Sequence, residues 1–405
     1  MEEEKMPDPS TMVEPTKFDL IIVGTGLPQS IIAAAASTVG KTVLHLDPNP
    51  FYGLHFSSLS PPDLSSFLTS QEDDANVIDD AISPTHGVEN DVDYGVVSLS
   101  SHNLYSNVDI SSHNFSPSSR FWLDVSGPRV LFSADSCIDL FLKSGVHHYL
   151  DFKPVDLCLI YDSHSHQFFT VPDSRNAIFK DHSLSLTDKL CLNKFFKLVQ
   201  LHLSGDGDSG NVISPEDLES PFVLFLEKNK LPLKTKWFIL YAIALADYDQ
   251  EDLQASKHLL STKDGIDRMA MYHSSIGRFP NAPGAMLYPM YGQGELPQAF
   301  CRRAAVKGSI YVLRMPVTTL LADKGSGLYR GVRLASGQDL FSQKLLIDPQ
   351  YLVPQALASS RPDVLRGSCQ NSCPRDMKKV ARGICISTTS LKPDASNLLI
   401  VIPPR

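Results

Sequence analysis

Between Lys41 and Arg120 the chain contains no lysine or arginine while Asp and Glu recur, and the chain as a whole carries a net charge of -9. Nucleic-acid binding needs a basic face, so that class is excluded as a general activity. There is no run of eighteen apolar residues. The densest stretch, "WFILYAIALA" from Trp237 to Ala246, is too short to span a bilayer, so any membrane contact is expected to be peripheral. The opening "MEEEKMPDPS" lacks the apolar segment of a secretory signal and the basic character of a transit peptide. Cysteine is sparse, odd in number at seven, and scattered, which suggests reduced thiols in the cytosol. Cys369 and Cys373 in "CQNSC" have metal-ligand spacing, but no second pair or histidine cluster completes a site, so no metal is expected. No Ser-His-Asp set or paired carboxylates stand out, and no catalytic residue is assigned.

What remains is an ordinary globular composition, 42% apolar and 20% charged over 405 residues. That length suits two domains, or one large core with an inserted subdomain. The stretch "FDLIIVGTGLPQS", Phe18 to Ser30, begins like a dinucleotide-binding unit: a β-branched strand, a glycine turn and an Ala-rich helix. "TVLHLD" supplies the next parallel strand. Asp47 closes it about twenty residues after the glycines, where a ribose-binding acid would stand. Gly24 and Gly26 meet the first two demands of the fingerprint, a tight turn and close backbone approach to phosphate. Gln29 occupies the third glycine position, and Pro28 removes an amide donor beside the phosphate site. The loop therefore reads as vestigial, and no cofactor is expected.

The pattern of elements predicts an α/β fold: an FAD/NAD(P)-binding-like sheet domain, discontinuous in sequence, with an inserted helical subdomain. Residues 1–17 read as a disordered tail and 18–56 as the first βαβ segment. Residues 57–119 form an acidic, Ser-rich insertion with no evident core face, expected to be disordered or loosely packed. Residues 120–180 continue the sheet domain, with an amphipathic helix near 134–144 implied by the near-helical spacing of Leu131, Ile138, Leu142 and Val146, and a hairpin over 158–172 that puts His164 and His166 at its turn. Residues 181–275 read as helices, one starting at Ser214 with Glu216 and Asp217 in its first turn. Within them, the Trp237–Ala246 stretch suits either bundle core or a lipid groove. Residues 276–405 are expected to return to the sheet domain and close it, with the strands "SIYVLR", "YRGVRLA", "KLLIDP" and "NLLIVIP".

Three blocks carry a specific resemblance: "FDLIIVGTGLPQSIIAAAASTVGKTVLHLDPNPFYG", "LFSADSCIDLFLKSGVHHYLDFKPV" and "GRFPNAPGAMLYPMYGQGELPQAFCRRAAVKGSIYVLRMPV". Together they resemble the family of Rab escort proteins and Rab GDP-dissociation inhibitors. The resemblance implies a GDI-like sheet related to flavin-dependent monooxygenases that has kept the fold and lost the cofactor. It implies a non-catalytic protein whose partners are GDP-bound Rab GTPases, the Rab geranylgeranyltransferase alpha/beta heterodimer and the geranylgeranyl group of the Rab tail. By the same resemblance Tyr52, Glu295, Arg302 and Val312 fall on the Rab-binding platform, while the helical subdomain holds the prenyl chain and meets the transferase. The acidic insertion, Gln293 and Cys301 resemble the escort branch, with an inhibitor that recycles prenylated Rabs as the alternative and a flavin oxidoreductase as a more distant one. Two departures stand out: Leu54 replaces a usual glycine, and family members continue beyond "NLLIVIPPR", so a chain shortened at its C-terminus is expected.

Overall fold

A computed structural model describes residues 12–73, 94–101, 104–111, 121–127, 129–172, 184–205, 213–254, 258–352 and 380–404. The chain divides into two compact units, residues 1–128, 146–151 and 291–385 in the first and 129–145, 152–290 and 386–405 in the second.

The first unit is built on β1 (Lys17–Val23), α1 (Leu27–Thr38), β2 (Val43–Asp47), α2 (Pro61–Asp73), β3 (Tyr94–Ser98), α3 (Glu295–Val306), β4 (Ile310–Leu313), β5 (Val317–Asp323), β6 (Tyr329–Leu334) and β7 (Asp339–Ile347). Seven strands form one mixed sheet in the order β4-β2-β1-β7-β6-β5-β3. The first four run parallel, with Ile21 opposite Leu44 on one side and Leu345 on the other, and the last three attach antiparallel. A central parallel strand has both faces covered, which is why β1 and β2 read as near-continuous apolar runs. Ile21, Ile22, Leu44 and Leu46 have no solvent exposure. The helix α1 packs along α3, and its own small residues, Ala33, Ala34 and Ser37, make the close approach possible.

In the second unit, Gln167–Thr170, Leu157–Asp162 and Leu398–Val401 form one three-stranded sheet, and Leu131–Phe132, Met286–Pro289 and Phe152–Pro154 form another. Helices Leu186–Ser204, Phe222–Lys228 and Thr262–Ser275 surround an aromatic-rich core that includes Phe195, Phe222 and Phe225. The helix starts are capped by their own side chains, the one at Ser214 as the sequence predicts. Ser185 caps the first helix in a reciprocal capping box with Asp188, and Ser214 accepts from Asp217 N–H at 3.1 Å. Residues Phe238–Ile243 wind as a π-helix whose six side chains are all buried, so this stretch is bundle core and leaves no groove face of its own.

Three expectations change. The predicted helix near 134–144 is Ser136–Ser144, and its buried residues are Ile138 and Phe141, while Leu142 is 41% exposed. Within the acidic insertion two of the described elements pack on the fold. The helix α2 buries Leu64 and Phe67 in a cluster with Leu59 and Val125, and β3 forms the edge of the main sheet against β5. Only a few apolar residues mark these elements amid acidic text, which hid their core face; residues 74–93 and 112–119 lie outside the described residues. Finally, Leu398–Val401 pairs in parallel with Leu157–Ile160 in the second unit and takes no place in the main sheet. A short apolar strand reads the same whichever sheet receives it. Cys369 and Cys373 lie outside the described residues, and no cluster of potential metal ligands occurs among those described. No helix of the described residues is long and apolar enough to cross a membrane.

Candidate functional site

The glycine loop is the first place to look for a ligand, and its own side chains fill it. Gly24 turns at φ +95°, where a Cβ would lie 2.9 Å from both Asp348 Cβ and Leu54 Cδ1. The carboxamide of Gln29 folds back over the turn, so close that a Cβ on Gly26 would meet Gln29 Oε1 at 2.7 Å. Its Nε2–H donates to Asp348 Oδ2 at 3.0 Å, and the side chain is 4% exposed. A pyrophosphate at this helix N-terminus would collide with the amide and face a carboxylate. Asp47, placed to hold a ribose, is fully buried and already engaged. Its Oδ2 accepts from Thr25 N–H at 2.8 Å and Thr25 Oγ1–H at 2.6 Å, and its Oδ1 accepts from Asn49 N–H at 2.8 Å and Asn49 Nδ2–H at 3.0 Å. Thr25 Oγ1 accepts in turn from Gly53 N–H at 2.8 Å. These bonds tie the loop to the turn after β2. The residues present do not fit a dinucleotide.

What that tie does is fix Tyr52. The turn "DPNPFYG" leaves β2, Gly53 closes it at φ +106°, and the Tyr52 ring meets the Tyr311 ring edge-on with centroids 5.8 Å apart. Tyr311 also lies against buried His45, 4.9 Å away. The second conspicuous motif, "YGQGELPQ", is anchored from its backbone. Gly294 N–H donates to Ser58 Oγ and Gln293 N–H to Asp124 Oδ1, both at 2.8 Å. Gly292, at φ +93°, passes so near this pair that a Cβ would come within 2.3 Å of Ser58 Oγ. The helix α3 therefore starts at a fixed point. It buries Leu296, Phe300 and Ala304 and turns Glu295, Gln298, Arg302 and Ala305 toward a surface cleft.

That cleft, about 390 Å³, is lined by these residues together with Tyr52, Tyr149, Cys301 and Tyr311. Glu295 accepts from Tyr291 N–H at 3.1 Å, and burial, aided by Asp151 nearby, raises its carboxyl above the usual range. Burial likewise pushes the Cys301 thiol up to about 11 and raises the Tyr311 phenol, so neither ionises near neutrality. Neither Glu295 nor Arg302 belongs to an ion pair among the described residues. The cleft offers three phenol rings and two unneutralised charges of opposite sign, which suits recognition of a protein surface. It has no nucleophile–base pair of the kind that covalent chemistry needs.

Of the four residues expected on the platform, Tyr52, Glu295 and Arg302 are brought together here. Val312 is not: successive strand residues face opposite ways, and where Tyr311 lines the cleft, Val312 packs against the core around Leu44 and Leu46. Sequence reasoning missed Tyr311 and Tyr149. The alternation in "SIYVL" could have indicated Tyr311, whereas Tyr149 arrives from a distant segment with no local signal.

A family model described as GDP dissociation inhibitor matches residues 13–80 and 87–402. Rab escort protein 1 of Arabidopsis thaliana is 53% identical over 408 residues, covering 98% of this chain and 72% of that protein. The Rab proteins geranylgeranyltransferase component A of Drosophila melanogaster is 31% identical over 374 residues, covering 91% of this chain and 66% of that protein. Among solved structures, a Rab GDI from Plasmodium falciparum shares the fold with a TM-score of 0.57 at 21% identity, over 82% of this chain and 65% of its own. The filled glycine cradle, the aromatic cleft on a mixed α/β sheet and these likenesses lead to one conclusion: the chain belongs to the GDP dissociation inhibitor family, in the branch of the Rab escort proteins.

Proposed function

We propose that the chain acts as a Rab escort protein in the cytosol. It binds newly made, GDP-bound Rab, presents it to the Rab geranylgeranyltransferase alpha/beta heterodimer, and chaperones the prenylated product to membranes. The observation that carries this reading is the cleft beside α3, lined by half-buried Tyr52 and Glu295 and exposed Arg302, on a sheet whose own nucleotide cradle is sealed. The role is non-catalytic. A twenty-carbon isoprenoid buries enough apolar area to contribute several kcal/mol at roughly 25 cal/mol per Å², so binding alone can keep a lipidated tail out of water. By resemblance that task falls to the helical part of the chain.

The test is reconstitution. Unprenylated Rab loaded with GDP, the transferase and geranylgeranyl diphosphate are combined with and without the protein, and lipid transfer is measured. Transfer that depends on the protein supports the escort role. Tight binding of prenylated Rab without any support of transfer would leave the second reading, an inhibitor that recycles Rabs, which the family model's own description favours.

A further inference from the structure

The guanidinium of Arg302 is not left to roam, although the residue is exposed. Its central carbon lies 4.8 Å from the centroid of the Tyr149 ring, and both side chains line the same cleft. Tyr149 ends a short 3₁₀ turn, Val146–Tyr149, pinned on either side: Val146 has no solvent exposure, Leu150 has 8%, and Leu150 N–H donates to His147 O at 3.2 Å. The ring is half-buried and its backbone held, so it offers a fixed floor. A guanidinium laid on an aromatic face is held by that face and keeps its N–H edges for other acceptors. Arg302 has no carboxylate partner among the described residues to orient it instead.

We propose that Tyr149 is a positioning residue for Arg302: its ring holds the guanidinium flat at the cleft wall, with the N–H edges presented to the bound Rab. The proposal rests on the escort reading above. It places a residue from the segment 146–151 in the recognition surface, although that segment is far in sequence from both motifs that flank the cleft. Preorganising a flexible side chain removes part of the ordering cost of binding, so the effect belongs in affinity.

The experiment titrates GDP-loaded, unprenylated Rab against the full chain and its variants. Tyr149→Leu should weaken binding about 2- to 5-fold, the worth of an exposed cation–π contact, while Tyr149→Phe, which keeps the ring, should match wild type. In an Arg302→Ala background Tyr149→Leu should cause no further loss, because the two residues act through one contact. Losses that simply add would overturn the proposal, since Tyr149 would then act independently of Arg302. If Arg302→Ala weakens binding and Tyr149→Leu does not, the proposal fails and the escort reading stands. A wild-type chain that binds no Rab at all sinks both. A second readout needs no partner: in arginine-labelled protein the Arg302 Hδ resonances, assigned from their loss in Arg302→Lys, should lie upfield from the ring current. They should move downfield in Tyr149→Leu, and resonances that stay in place would overturn the proposal whatever the titration gave.

Discussion

Arg302 and Arg303 are neighbours in sequence with different surroundings. Arg302 is exposed at the cleft, whereas Arg303, a further 100° round the helix, is half-buried and does not line it. Arg302→Ala is expected to weaken Rab·GDP binding by about 1–3 kcal/mol with the fold intact, and Arg303→Ala to matter less. Titration with circular dichroism as the folding check decides it; equal affinities for wild type and folded Arg302→Ala would remove Arg302 from the site. His45 makes a different kind of prediction. It is fully buried on β2, its Nε2–H donates to Gly24 O at 2.7 Å, and its Nδ1 has no hydrogen-bond partner among the described residues. Burial holds its pKa at about 4, below the ordinary value of 6.5, so the unfolded chain binds the proton more readily than the folded one. Stability contributed by the neutral ring is therefore complete above pH 6.5 and is lost as pH falls from there toward 4, amounting to about 3 kcal/mol. Urea unfolding as a function of pH should show this loss in wild type and not in His45→Gln. Parallel slopes for the two would mean that the ring charges at no cost.

At the scale of elements, α2 tests how much the acidic stretch gives to the fold. Phe67 meets Phe51 edge-on at 5.5 Å and Tyr105 at 6.0 Å, and is 7% exposed. Phe67→Ala is expected to cost about 3 kcal/mol, and replacing the whole stretch from α2 through β3 by a Gly/Ser linker should lower the melting temperature markedly. An unchanged melting temperature would return these elements to the status of a passive insertion. The case also shows what the sequence made legible. β1, α1 and β2 were plain because a buried parallel strand, a glycine turn and an Ala-rich helix each leave a dense local pattern. So was the capped start at Ser214. α2 was not, since Leu64 and Phe67 amid Ser, Pro and acidic residues do not make a periodicity, and neither was the partner of Leu398–Val401, because pairing across more than two hundred residues leaves no local mark. In the site, Tyr52, Glu295 and Arg302 were legible from their motifs. Val312 stands apart from them because the motif names a strand and leaves its pleat unread, and Tyr149 was invisible because only the folded chain lays it beneath Arg302.

On the scale of the whole molecule, the chain carries a net charge of -9, two separately packed cores and a nucleotide loop plugged by its own Gln29. The purified protein is expected to be colourless, and saturating FAD should leave its melting temperature where it was, since a ligand at a hundred times its dissociation constant would add about 2.7 kcal/mol. Flavin absorbance that co-purifies with the chain would sink the non-enzymatic reading. The Gln29 amide lodged against Asp348 has a consequence beyond the site itself. A flavoprotein of this architecture waits on a vitamin-derived tenant to finish its interior, so its cellular level follows supply. Here the tenant is encoded in the polypeptide, and every copy leaves the ribosome already carrying it. The amount of active protein should therefore track its own synthesis and be indifferent to riboflavin starvation.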